Sequence, residues 1–230
     1  MKTYALVGRN ISYSFSRRYF AEKFAKEQIT DCEYINFDIP YIEELPTLIA
    51  ATPTLAGMNV TIPYKEAVLP LLDLQSEALM AIKACNTIKI LPSGKLKGDN
   101  TDYIGFRDSL VPHLKPHHHS ALILGTGGAS KAVAFALSQL GISYQLVSRE
   151  ASSIAISYTE LTKEIITYHS LIINTTPLGT SPNVEAFPLI PYQWITREHL
   201  LLPSVIICIK RKTCPYISPK IPFSKILLLK

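Results

Sequence analysis

The chain has 230 residues, 47% hydrophobic and 18% charged, a balance that supports packed cores and excludes gross disorder. The formal net charge of +5 invites an acidic partner only until it is divided by region: residues 1–199 hold 17 Lys/Arg and 18 Asp/Glu, residues 200–230 six Lys/Arg and no acid. The basic excess therefore belongs to the last stretch, where six cations without interleaved recognition residues argue against nucleic-acid binding.

In chain order, residues 4–8 read as a strand, 15–27 as a helix with Phe20 and Phe24 on one face, 33–37 as a strand, 42–49 as a short helix and 55–60 as a short buried strand. Pro63 suits the first position of a helix over residues 64–72. Lys65 then falls in its first turn, beside the partial positive charge of unpaired backbone N–H groups. A cation is disfavoured there by a few tenths to about 1 kcal/mol. The same field lowers a lysine pKa, one way to prepare a proton-transfer group. Asn59 and Thr61, two apart on an extended segment, point to one side near that lysine. A helix over 76–82 precedes a hairpin of 86–90 and 95–97 that turns at Pro92-Ser93-Gly94. In Gly98-Asp99-Asn100-Thr101-Asp102, Asp99 and Asn100 suit a turn and Thr101 can cap a helix over 103–110.

His117, His118 and His119 read as part of an exposed connecting loop, because adjacent histidines cannot converge on one metal ion without an unusual backbone. Residues 121–124 form a strand, Gly125-Thr126-Gly127-Gly128-Ala129-Ser130-Lys131 a small-residue loop, and a helix to 140 leads into a strand at 144–148. This βαβ context is what a dinucleotide loop needs: small residues allow the tight turn and bring the helix N-terminus to a pyrophosphate. Ser148-Arg149 ends the second strand; an arginine there grips the extra phosphate of NADP, although Glu150 follows at once. A further strand at 171–174 runs into the turn Asn174-Thr175-Thr176-Pro177-Leu178-Gly179. Alternation of strands and helices makes the fold class α/β.

Three motifs, Ser14-Phe15-Ser16, Asn59-Val60-Thr61-Ile62-Pro63-Tyr64-Lys65 and Asp99-Asn100-Thr101-Asp102, resemble in order and spacing those of the shikimate dehydrogenase family, with Asn86 between the second and third. The resemblance covers roughly residues 1–200. It implies an N-terminal α/β substrate domain followed by a Rossmann-type dinucleotide-binding domain, divided as residues 1–102 for the substrate-binding catalytic part, 103–119 for a connecting helix and linker, 120–209 for NADP and 210–230 for an atypical tail. It implies NADP-dependent reversible reduction of 3-dehydroshikimate to shikimate, in the route to aromatic amino acids. By the same resemblance Lys65 and Asp102 are the catalytic pair. Ser14 and Ser16 take the substrate carboxylate, and Asn59, Thr61 and Asn86 its hydroxyls. Gly125, Thr126, Gly127, Gly128, Ala129, Ser148, Arg149, Asn174, Thr175 and Thr176 hold NADP(H). No metal is implied. A quinate/shikimate dehydrogenase and a pseudoenzyme that binds without turnover stay open beside this reading.

After about residue 200 the family pattern stops: its D-x-x-Y-x-P and G-x-x-M-L-x-x-Q segments are missing, and residues 201–230 hold no aspartate, glutamine or glycine. Tyr216 matches nothing around it. The coincidence with the change in charge leads us to expect a shifted reading frame or a degenerated gene, against a divergent terminus in which residues 205–209 still fill the final strand; full or impaired activity follows accordingly. No apolar run reaches a membrane span and no charged-then-apolar leader opens the chain. Cys32, Cys85, Cys208 and Cys214 lack C-x-x-C spacing, so reduced thiols in a cytoplasmic monomer or homodimer are expected.

Overall fold

A computed structural model describes residues 1–12, 14–179 and 185–203. The chain divides into two compact units, 1–101 and 102–230. Residues 205–209, Cys208, Cys214, Tyr216 and the tail from 210 lie outside the described residues.

The first unit contains β1 (Lys2–Gly8), α1 (Phe15–Lys26), β2 (Cys32–Asp38), α2 (Leu45–Ala50), β3 (Leu55–Val60), α3 (Tyr64–Ala67), β4 (Leu74–Gln75), α4 (Glu77–Ile82), β5 (Thr87–Ile90) and β6 (Leu96–Asp99). These strands form one sheet in the order β2-β1-β3-β5-β6-β4. β1 pairs parallel with β2 and β3, whereas β3–β5 and β5–β6 are antiparallel. Strand periodicity divides the side chains between two faces. Ala5, Val7, Phe37, Met58, Val60 and Ile88 pack into a core with Leu45, Tyr64, Val68 and Leu79. On the other face Leu6, Ile11 and Tyr34 meet Phe20 and Phe24 of α1. The two phenylalanines therefore do face one side, and Phe20 stacks on Tyr34 with ring centroids 4.4 Å apart.

The expected helix over 64–72 is shorter. α3 is a single turn, Pro63 is its flanking residue rather than its first, and Pro70 lies in a separate 3-10 turn, Leu69–Leu71. A proline has no N–H to continue an α-helical ladder, which is why the pattern breaks there. One turn aligns only a few peptide dipoles, so the strong terminal field expected beside Lys65 is not built. Likewise residues 42–49 divide into a 3-10 turn, Ile42–Glu44, and α2.

The second unit contains α5 (Asp102–Leu110), β7 (Ser120–Leu124), α6 (Gly128–Gln139), β8 (Ser143–Ser148), β9 (Ala155–Ser157), α7 (Lys163–Tyr168), β10 (Leu171–Asn174) and β11 (Leu200–Pro203). The sheet runs β11-β10-β7-β8-β9 and every pairing is parallel. This is the doubly wound order, with the reversal of winding between β7 and β10. All five residues of β7 are buried, as a central parallel strand covered on both faces must be. Ala121 and Ile123 join Phe106, Leu110, Val133 and Leu137, while Leu122 and Leu124 join Val147, Ile166, Ile172 and Ile190.

The short strands β4, β9 and β11 and the helix α7 carry too few periodic residues to be foreseen. The histidine run also differs from an exposed loop: His118 is buried and its Nδ1 accepts from the Lys115 N–H at 3.0 Å. That burial pushes its pKa down, with His117 adding to the effect. Replacing Ile123, which has no exposed surface, by alanine should cost about 2–5 kcal/mol. Urea unfolding of Ile123→Ala against wild type measures this.

Candidate functional site

In the first unit the site grows from strand register. Asn59 on β3 is the cross-strand partner of Thr87 on β5, and Asn86 immediately precedes that strand. Asn59 Nδ2 donates to the Asn86 carbonyl at 3.3 Å and to Thr87 Oγ1 at 3.4 Å. The Asn86 carbonyl also accepts from Val60 N at 2.8 Å. The Asn86 side chain, itself buried, turns the other way. Its Oδ1 accepts from Thr101 N at 2.8 Å and from Thr87 Oγ1 at 2.9 Å, while its Nδ2 donates to Thr101 Oγ1 at 3.1 Å. A buried amide with both ends occupied has one defined orientation. Asn59, Asn86, Thr87 and Thr101 thus form one connected cluster, and Asp102, opening α5 and the second unit, is the next residue in the chain.

The turn before Asp102 is fastened separately. Asp99 Oδ1 accepts from Ser76 Oγ at 2.6 Å and from Asn100 N at 2.7 Å. Asn100, fully buried, donates from Nδ2 to the Ala84 carbonyl at 2.5 Å. Thr101, expected to cap the helix, spends its hydroxyl on Asn86 and Thr87.

Lys65 lies half-buried in α3, and its carbonyl accepts from Cys85 N at 2.6 Å. The buried Cys85 thiol is pushed up to about 11, chiefly by desolvation, with Lys65 pulling weakly in the opposite direction. Thr61 N donates to the Val7 carbonyl at 2.9 Å, which sets Thr61 against the end of β1. A Cβ on Gly8 would stand 2.7 Å from Thr61 Cγ2 and 2.5 Å from Ile11 Cγ2, so only glycine admits this approach.

Ser14 and Ser16 sit at the N-terminus of α1. Ser14 is its N-cap, with Oγ accepting from Ser16 N at 3.2 Å, and the first turn carries no acidic residue. Two hydroxyls and the positive end of a helix favour an anion such as a carboxylate. The loop that presents them is tied down by β2. Asp38 accepts from Asn10 N at 2.7 Å and Ile11 N at 3.0 Å, and Asn36 Nδ2 donates to the Ile11 carbonyl at 3.3 Å. These two residues were not foreseen; the available signal was the alternation of polar residues at 34, 36 and 38 along a strand.

In the second unit Gly125 follows β7 with φ +114° and donates its N–H to the Val147 carbonyl at 2.8 Å. A Cβ there would stand 2.6 Å from Thr175 Oγ1. Thr175, just beyond β10, bonds Leu124 O through its N–H at 2.9 Å and its hydroxyl at 2.6 Å. Gly127 is the N-cap of α6 without a side-chain cap, the first turn has no acid, and Thr126 and Gly127 are exposed. Ser130 Oγ donates back to the Gly127 carbonyl at 2.6 Å. Asn174 Oδ1 accepts from Thr176 N at 3.0 Å and Thr176 Oγ1 at 2.6 Å, which shapes the turn after β10. Gly128 and Ala129 open α6. Ser148 ends β8 with its hydroxyl on the Glu150 carbonyl, and Arg149 is exposed beyond it. A glycine-rich turn, the start of a helix and a cation past the second strand fit a dinucleotide phosphate group.

The family model for the shikimate dehydrogenase substrate binding domain matches residues 6–88. The chain is 32% identical over 204 residues to the shikimate dehydrogenase (NADP(+)) of Caldicellulosiruptor bescii, covering 82% of this chain and 70% of that one. It belongs to the shikimate dehydrogenase family. A second relative, the shikimate dehydrogenase (NADP(+)) of Clostridium beijerinckii, is 37% identical over 200 residues, 82% of this chain and 73% of that protein. The fold matches the crystal structure of the Thermus thermophilus shikimate 5-dehydrogenase in complex with NADP(H) and shikimate, with a TM-score of 0.76, 28% identity and coverage of 90% and 79%.

In this chain the Asn86 side chain has a structural task, because its amide holds Thr101 in place. Asn86→Ala leaves the Thr101 N–H without that acceptor, a loss of about 1–3 kcal/mol for a buried donor. Amide hydrogen exchange at Thr101 should accelerate by about tenfold or more, whereas Asn86→Asp, which keeps the acceptor, should stay closer to wild type.

Proposed function

We propose that this chain reduces 3-dehydroshikimate reversibly to shikimate with NADPH. The observation that carries this reading is identity above 30% to NADP-dependent shikimate dehydrogenases along 200 residues or more, a length that takes in parts of both units. NADPH, when bound, supplies the hydride.

The chain's own residues then have three tasks. Ser14 and Ser16 receive the substrate carboxylate at the N-terminus of α1, with two hydroxyls and the helix field in place of a formal cation. Asn59, Thr61 and Asn86 present polar groups to the ring hydroxyls, and the hydrogen-bond cluster that fixes the two amides lowers the entropy lost on binding. Lys65 gives a proton to the alkoxide that develops as the ketone is reduced, and Asp102 holds the reacting hydroxyl. In the second unit Gly125, Thr126, Gly127, Gly128 and Ala129 take the pyrophosphate at the start of α6. Ser148 and Arg149 take the phosphate that distinguishes NADP from NAD. Asn174, Thr175 and Thr176 line the turn beyond β10 on the nicotinamide side. A cytoplasmic monomer or homodimer belongs to the same proposal, with the free thiols of Cys32 and Cys85 in support.

Shikimate-dependent reduction of NADP+, followed by the absorbance of the reduced nicotinamide, tests the activity. Lys65→Ala should lower kcat by about 10²–10⁴ while leaving the Kd for NADP+ unchanged; near-normal turnover would refute the role of Lys65. Arg149→Ala should raise the KM for NADP+ by about tenfold and leave that for NAD+ alone, in keeping with a lost phosphate contact.

A further inference from the structure

Thr87 belongs to none of the recognised motifs, yet its hydroxyl joins two side chains that the proposed reading gives to the ring hydroxyls. Strand register puts it there. On β5 it is the cross-strand partner of Asn59 of β3 on one side and of Asp99 of β6 on the other. Directly opposed residues of antiparallel strands send their side chains to the same face, and Asn86 immediately precedes Thr87 in the chain.

The direction of each bond follows from counting protons. A backbone N–H only donates, so the 2.8 Å bond from Thr101 N identifies the Asn86 atom that receives it as oxygen. Thr87 Oγ1, 2.9 Å from that same oxygen, must give it its single proton. Thr101 Oγ1 stands farther off, at 3.4 Å, and has a proton of its own. Only lone pairs are then left on Thr87 for Asn59. A backbone carbonyl only accepts, so the bond to the Asn86 carbonyl identifies the inward end of the Asn59 amide as Nδ2, and this nitrogen also donates to Thr87 Oγ1 at 3.4 Å. One hydroxyl therefore donates to one amide and accepts from the other.

The same count sets what each amide shows to a ligand. Both protons of Asn59 Nδ2 are spent within the sheet, so Asn59 meets a ring hydroxyl through Oδ1, an acceptor, one of whose two lone pairs takes the Tyr34 proton. Thr101 N and Thr87 take the lone pairs of Asn86 Oδ1, so Asn86 meets a ring hydroxyl through Nδ2, a donor. Neither bond made by Thr87 uses the atom with which an asparagine faces the substrate.

We propose that Thr87 is a positioning residue for substrate recognition: its hydroxyl joins the Asn59 and Asn86 side chains, so that the acceptor and the donor offered to the ring hydroxyls are held in one fixed relation. The inference rests on the assignment of Asn59 and Asn86 to the substrate.

The test uses the full chain. Thr87→Val keeps the β-branched shape that suits a strand and removes only the hydroxyl. It should raise the KM for shikimate by about tenfold, the range expected for lost hydrogen bonds at a shielded site, with kcat and the KM for NADP+ within about twofold. Thr87→Ser, which keeps the hydroxyl and loses the methyl group, should stay near the wild-type KM. Thr87→Ala, which lacks the hydroxyl and adds no bulk, should reproduce the KM of Thr87→Val. In an Asn59→Ala background Thr87→Val should have a clearly smaller effect, because one of the two joined partners is already gone. An unchanged KM in Thr87→Val, an equal rise in Thr87→Ser, equal increases for substrate and cofactor, or full additivity with Asn59→Ala overturns the proposal. If wild type does not turn over shikimate, or if Asn59→Ala and Asn86→Ala leave its KM unchanged, the functional reading fails and takes this inference with it. If those two variants raise the KM and Thr87→Val does not, only the role of Thr87 falls.

Discussion

The Asn86 carbonyl is a group that can only accept, and much of the first unit's chemistry depends on that limitation. It receives Val60 N from one side and the Asn59 amide from the other. An amide in solution has two nearly isosteric orientations; beside a fixed carbonyl it has one. The direction then passes outward to Tyr34, while the Asn86 side chain passes a second fixed direction to Thr87 and Thr101. Partly satisfied, such a network would weaken the unit, since each stranded buried group costs about 1–3 kcal/mol. Satisfied, it turns flexible polar side chains into a rigid surface.

The α/β class, the strands β3 and β7 and the hairpin of β5 and β6 are legible in the sequence because burial and turn residues mark them directly. The dinucleotide loop is legible because its glycines stand between a strand and a helix. Helix length after β3 is less so: residues 64–72 have the composition of a helix, and the break comes from proline geometry within it. β9 and β11 are invisible because three or four residues show no period and owe their state to parallel neighbours in the sheet. His118 is hidden for another reason, since its burial depends on a backbone contact with Lys115 that composition does not register.

The site shows the same division. Ser14, Ser16, Asn59, Asn86 and Lys65 stand out because they fall in or between motifs that resemble, in order and spacing, those of the shikimate dehydrogenase family. Asp38, Asn36 and Tyr34 do not stand out, because each lies within a strand and looks like half of an ordinary amphipathic pattern. Asp38 and Asn36 turn their polar ends against Asn10 and Ile11 before α1, and Tyr34 turns its hydroxyl to Asn59. A strand face that anchors a loop and a strand face that meets solvent have the same alternation, and only the partner distinguishes them.

The order of the second sheet also governs how that unit assembles. Ala121 of β7 pairs with Tyr144 of β8 on one side and with Leu171 of β10 on the other. The first pairing closes a short βαβ segment, whereas the second waits until the chain has passed through β9 and α7. Closing the longer loop costs more entropy, so contact order places β7–α6–β8 early and β10–β11 late. The glycine loop after β7 would therefore be formed before its neighbour Thr175 arrives, and the crevice between β7 and β10 would be the last part of this sheet to take shape.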